Sequence, residues 1–202
     1  MFHSTTDVYQ VKRKAIHFAK SIVSQVGQVE SKFVTQAIYG ILKSGSIILK
    51  DMAVALREPI QVKNTIERLS RNLSRPLSAS ILSLYTQKMV RALGKEPVIL
   101  VDDSDVIKPH GQAFEALGQV RDGSSKDNKI EKGYSVTEIV GLTAQQKQPV
   151  SLFSRIHSSR EYGYKSTNEV LFQGLRYVIG CVKEKATFIK GTNGGSKCIA
   201  FG

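Results

Sequence analysis

The chain has no tryptophan, only two cysteines and only five prolines. No apolar run approaches the ~18–20 residues that a membrane-spanning helix needs, so no membrane partner is expected. Cys181 and Cys198 lie 17 residues apart without a CxxC. That spacing supports neither a disulfide framework nor a zinc knuckle, and a reduced, cytoplasmic compartment is the expectation. The opening MFHSTTDVYQVKRK has no apolar stretch behind its charges, so it does not read as a signal peptide. Acids are scarce as well: 17 Asp and Glu stand against 29 Lys and Arg, a net charge of +12 over 202 residues.

Hydrophobic residues at 41% with charged residues at 23% place the chain among globular proteins and not disordered ones. The positive charge is concentrated in one half. Residues 1–95 hold 15 Lys and Arg against 5 Asp and Glu, a net of +10, and residues 96–202 hold 14 against 12, a net of +2. A basic half joined to a near-neutral half implies a polyanion-binding module attached to a second unit. A basic, merely solvated surface is the alternative.

The first half reads as helical. Residues 11–29 carry Ile16, Ala19, Ile22, Val23 and Val26 at helical spacing, and a second apolar segment spans 33–42 before Ser44-Gly45-Ser46. Ser46 is expected to cap a helix through Leu56, with Ile47, Leu49, Met52, Ala53 and Leu56 inward. Glu58-Pro59 breaks it, because proline disfavours helical geometry in the residue before it. A helix over about 61–73 follows, with Val62, Ile66, Leu69 and Leu73 inward and Lys63, Asn64, Arg68, Arg71 and Asn72 outward. Helix, short break and basic amphipathic helix form the outline of a helix-turn-helix. Lys63, Asn64, Arg68 and Arg71 are the candidate DNA-binding residues, since Asn and Arg pair bidentately with base edges. An ordinary helical hairpin with a basic outer face is the alternative. A last helix over about 78–93 completes this half, and Gly94-Lys95-Glu96-Pro97 marks the boundary between domains 1–95 and 96–202.

Beyond that boundary the character changes to α/β. VILV (98–101) is a β-branched run that reads as a buried central strand ending in Asp102-Asp103-Ser104-Asp105. Residues 111–133 read as a polar loop. YSVTEIVGL (134–142) and VSLFSRIH (150–157) read as strands. Ser166-Thr167 opens a helix through about residue 183 with Val170, Leu171, Leu175, Val178 and Ile179 on one face, and ATFI (186–189) reads as a fourth strand. Carboxylates this close repel one another and need a cation or solvent to stay ionised. Mg²⁺ takes one or two carboxylates together with phosphate oxygens, so Asp102 and Asp103 are candidate metal ligands. An acidic turn capped by Ser104 or Asp105 is the other reading.

Three stretches together resemble insertion-sequence transposases of the DDE type: VILVDDSDVIKPHG (98–111), VRDGSSKDNKIEKGYSVTEIVGL (120–142) and PVSLFSRIHSSREYGYKSTNEVL (149–171). The basic helical region at about 33–75 is also similar to that family's DNA-binding part. The resemblance implies a ribonuclease-H-like catalytic domain that cuts and joins DNA using two Mg²⁺ ions held by two Asp and one Glu. The family's Asp-x-Ser/Thr pattern maps its first catalytic Asp onto Asp102, with Ser104 two residues on; Asp103 is the adjacent alternative. The second family Asp would follow ATFI, where this chain reads KGTNGGSKCIAFG, and no acid follows Glu184. The expectation is therefore a helical DNA-binding region followed by an incomplete ribonuclease-H-like mixed sheet, the front of a transposase, that binds transposon-end DNA without cutting it. A DNA-binding regulator of transposition, acting against a full-length transposase, is the alternative, and an unfolded remnant is a third.

Outside these motifs, Lys108 is a candidate phosphate contact near Asp102. Arg155, Arg160 and Lys165 are further cations able to track a DNA backbone. His110 and His157 lack a metal spacing such as HExxH, and Cys181 reads as a small core residue.

Overall fold

Helix formers dominate up to residue 93, and strand formers begin at Val98. The computed structural model describes residues 5–122, 127, 129–182, 186–190 and 197–200. The chain divides into two compact units, residues 1–85 and 86–202. The boundary expected at Gly94 follows the fifth helix, whereas the units divide earlier, within it.

In the first unit, α1 (Thr5–Ile22), α2 (Gln28–Ser44), α3 (Leu49–Leu56), α4 (Val62–Leu73) and the start of α5 (Ala79–Leu93) follow in order. Ile22, Val23, Phe33, Val34, Met52, Ala53 and Leu69 form the core, with Ile81, Leu84 and Tyr85 packed against it. A Cβ on Gly40 would lie 3.1 Å from the Met52 Cβ, so the missing side chain lets α2 and α3 approach closely. Gly45 closes α2 in the left-handed region at φ 68°, its N–H donating to the Ile41 carbonyl.

Ser46 does not cap the third helix. Its hydroxyl accepts from the Ile48 N–H at 3.1 Å and donates to Asp51 at 2.8 Å, and the helix begins only at Leu49. Ile47 therefore sits in the connection and is 82% exposed. In α4 the buried positions are Thr65 and Leu69, while Val62 and Leu73 lie outside. A twelve-residue helix buries its middle turns first, and its apolar ends face solvent.

The second unit holds the rest of α5, then β1 (Val98–Ile107), β2 (Gly118–Arg121), β3 (Ile130–Leu142), β4 (Pro149–His157), α6 (Thr167–Cys181), β5 (Thr187–Lys190) and β6 (Lys197–Ala200). The sheet runs β2-β3-β1-β5-β6, and β4 also pairs with β3. β1 is antiparallel to β3 and parallel to β5, and β3 is antiparallel to β4. β2 pairs with the first residues of β3 and β4 with the remainder, so both use the same edge. The described residues thus form a mixed α/β protein with six helices and one mixed sheet. Ser166 starts α6 by accepting the Glu169 N–H at 3.2 Å, a Ser-x-x-Glu start. Leu93, Ile99, Val101, Ile139, Leu152, Leu171, Val178 and Phe188 build the core.

Further corrections concern the strands and α6. The first strand does not stop at Val101 but continues through the four acidic-turn residues to Ile107, because β3 is long enough to pair with all of them. The expected loop 111–133 contains β2 and the start of β3. Ile179 is 43% exposed, on the outer side of α6. The residues directly after β5, 191–196, where the second family Asp was expected, lie outside the described residues.

Candidate functional site: a basic notch and an acidic strand

In the first unit, the outward side of α4 carries Lys63, Asn64 and Arg71, all exposed. Lys63 lies 3.9 Å from Glu67 one turn on, an exposed pair of little energetic weight. Arg68 faces α2. Its Nη1 donates to the Gln36 side chain at 2.6 Å and its Nη2 is ion-paired with Glu58. Glu58 also accepts from the Thr65 hydroxyl at 3.0 Å and from the Gln36 amide at 2.9 Å. A single carboxylate before Pro59 thus ties the α3–α4 connection to both α2 and α4.

Beside this network, Lys32, Arg68, Arg71 and Arg75 surround a cavity of about 330 Å³ floored by Phe33 and Leu69. Lys32, Arg71 and Arg75 form no ion pair among the described residues, so the notch carries net positive charge. Sequence reasoning found Arg68 and Arg71 but missed Lys32 and Arg75. Those two join the notch only through the packing of α2 against α4, and periodicity within one helix carries no trace of that.

In the second unit, alternation along β1 places successive side chains on opposite faces. Asp103 shares the face of Ile99 and Val101, on which α6 packs. Asp102 is on the other face. In the β1–β3 register Asp102 stands opposite Glu138, so two acidic residues are cross-strand neighbours. Asp103 stands opposite Thr137, whose hydroxyl donates to it at 2.7 Å, and the Lys190 ammonium lies 3.8 Å from its other oxygen. The two candidate acids therefore have different surroundings: Asp103 is neutralised by neighbours, whereas Asp102 faces another acid.

Behind Asp103 lies His157, 2% exposed and stacked on Tyr164 with ring centroids 5.8 Å apart. Its Nε2 is 3.0 Å from the Thr137 hydroxyl oxygen. Thr137 has one proton and gives it to Asp103, so Nε2 carries the imidazole proton and donates it to Thr137. Nδ1 is then a buried lone pair without a partner among the described residues. Burial lowers the His157 pKa below its usual 6.5, and the Arg155 charge lowers it further. Burial thus favours the neutral form of this histidine.

Lys108 is not near Asp102. β1 stays extended between them, and six residues at ~3.3 Å each carry Lys108 about 20 Å along the strand. Arg155 is held by Glu161 at 3.5 Å and donates to Gln173 at 3.0 Å. Cys181 is a free thiol, partly exposed. Two Mg²⁺ ions need more oxygen ligands than Asp102 and Glu138 supply, and no cluster of three or more Asp, Glu, His or Cys suited to a metal occurs among the described residues. The described residues alone do not make up the oxygen set of a two-metal centre. No helix among the described residues is long and apolar enough to cross a membrane.

The fold and site thus define a two-unit mixed α/β protein with a basic helical unit and an acid-bearing central strand. No protein-family model matches the chain, and no curated protein matches it.

Proposed function

We propose that the chain is a DNA-binding protein of the DDE transposase type, and that its 202 residues by themselves bind duplex DNA without cleaving it. The observation that carries the DNA partner is the notch in which Lys32, Arg71 and Arg75 gather without an ion-paired acid among the described residues. Phosphate contacts by such side chains supply much of the affinity of a protein for DNA. The transposase type is supported by the strand order: an antiparallel β4-β3-β1 meander, then a helix, then β5 parallel to β1. This is the order expected of a ribonuclease-H-like sheet, with Asp102 in its central strand. Inactivity is supported by the Asp102–Glu138 pair, which is joined by no third metal-holding side chain among the described residues.

Incubation of the purified chain with duplex DNA and Mg²⁺ tests this reading. Retarded, intact DNA is the expected result, and nicked DNA contradicts it. A regulator that needs no acid is the second reading, favoured by the engagement of Asp103 with Thr137 and Lys190. Mixing with an active transposase tests the regulator: the parent chain lowers that enzyme's activity, and an Asp102→Asn variant lowers it equally.

A further inference from the structure

We infer that the second unit carries a binding site for a nucleotide, a base with its phosphate, in the cavity between the loop after β1 and the turn after β4. The cavity measures about 440 Å³ and is lined by Phe114, Gln112, Gln119, Lys132 and Arg160, among others. That volume lies within the usual range for small-ligand sites. The inference stands apart from duplex binding by the first unit.

The walls are fixed by backbone contacts. The Gly111 N–H donates to the Lys108 carbonyl at 2.9 Å, the Lys108 N–H donates to the Lys132 carbonyl at 2.7 Å, and the Tyr134 hydroxyl donates to the Glu115 carbonyl. Ala116 holds a φ of 49°, a conformation that side chains with a Cβ rarely adopt and that accumulates at functional sites. A Cβ on Gly111 would lie 2.9 Å from the Phe114 ring. The bare glycine thus seats the ring, which is still 54% exposed. On the other wall, a Cβ on Gly118 would lie 2.5 Å from the Ser158 hydroxyl, and that hydroxyl accepts the Arg160 N–H at 3.2 Å. Absent side chains at two glycines therefore bring Phe114 and Arg160 to one cavity.

The chemistry is that of a nucleotide. An exposed, seated aromatic ring stacks on a base. Lys132 and Arg160, neither ion-paired among the described residues, meet a phosphate. The Gln112 and Gln119 amides offer donors and acceptors to base edges. Glu115, the one acid of that loop, does not line the cavity.

Fluorescence anisotropy of the full 202-residue chain tests this with a short unpaired oligodeoxynucleotide, a paired duplex and dAMP as competitor. Phe114→Leu, which removes the ring but little apolar volume, is expected to weaken the unpaired oligonucleotide about tenfold, and a Lys132→Gln, Arg160→Gln double variant likewise. Duplex affinity stays unchanged in Phe114→Leu. Competition by dAMP identifies a free nucleotide as the ligand. Its failure to compete, with the Phe114 effect intact, identifies a nucleotide within a strand. Unchanged oligonucleotide affinity in both variants overturns the site and leaves duplex binding standing. A chain that binds no duplex yet loses oligonucleotide affinity on Phe114→Leu keeps the site and overturns the duplex reading.

Discussion

Asp102 and Glu138 face each other across β1 and β3 on the side of the sheet away from α6. Like charges directly opposite in a sheet are destabilising by a fraction of a kcal/mol. Glu138→Gln is therefore expected to stabilise the second unit by about 0.2–1 kcal/mol, and Asp102→Asn by a similar amount. The double variant gains no more than either alone, because each change removes the same repulsion. Urea unfolding at low salt measures all three, and the gain shrinks at high salt. A loss of stability in Glu138→Gln contradicts the like-charge pair.

The Glu58 network makes the opposite prediction. Glu58 serves Gln36, Thr65 and Arg68 together, so its removal leaves three donors without their acceptor. Both members of the ion pair are only partly exposed, and Thr65 is fully buried. Glu58→Ala is expected to destabilise the first unit by about 1–3 kcal/mol. Glu58→Gln costs less, since one carbonyl oxygen still accepts. Circular dichroism during urea unfolding reads the helical loss. Equal stability of the alanine variant and the parent chain contradicts the network.

His157 gives the second unit a pH dependence. Its pKa is lowered in the folded state, first by burial and then by Arg155, while Asp103, Glu161 and Asp105 act weakly in the other direction. The unfolded chain therefore binds the proton more readily. The stability it contributes is full above the unfolded pKa of about 6.5 and falls as pH drops through that value towards the lower folded one. The urea midpoint is expected to be lower near pH 5.5 than near pH 7.5, and a His157→Gln variant flattens the difference. A midpoint that rises on acidification contradicts the assignment.

Much of this was legible in local pattern, and what was missed depends on pairing at a distance. The helical half followed from apolar spacing, and the start of α6 from Ser166-Thr167. β4 and β5 also lie where β-branched runs placed them. The length of β1 was not legible, because the β-branched run stops at Val101 and the acids from Asp102 to Asp105 read as the strand's end. They are strand residues only because β3 extends far enough to pair with them. That one error also misplaced Lys108, and it hid the Asp102–Glu138 and Asp103–Thr137 pairs, whose members are more than thirty residues apart. Lys32 and Arg75 were missed for the same reason: their role comes from α2 packing on α4.

The basic notch gives a last prediction, one that depends on the number of phosphates held and not on the DNA sequence. A protein that neutralises phosphates releases condensed counterions. The logarithm of its affinity then falls with the logarithm of salt by about 0.9 for each phosphate engaged. Lys32, Arg71 and Arg75 surround one cavity without an ion-paired acid among the described residues, whereas Arg68 in the same wall is already engaged by Glu58 and Gln36. Replacing Lys32, Arg71 and Arg75 with Gln one at a time is expected to weaken duplex binding uniformly across sequences and to reduce the salt slope by about 0.9 for each that contacts a phosphate. Arg68→Gln behaves differently. It leaves Glu58 partly buried without its cation, so its main cost appears in stability. Anisotropy titrations over a range of salt concentrations, paired with urea unfolding of the same variants, separate the two behaviours. If the three notch substitutions leave the salt slope unchanged, duplex DNA is held elsewhere on the chain.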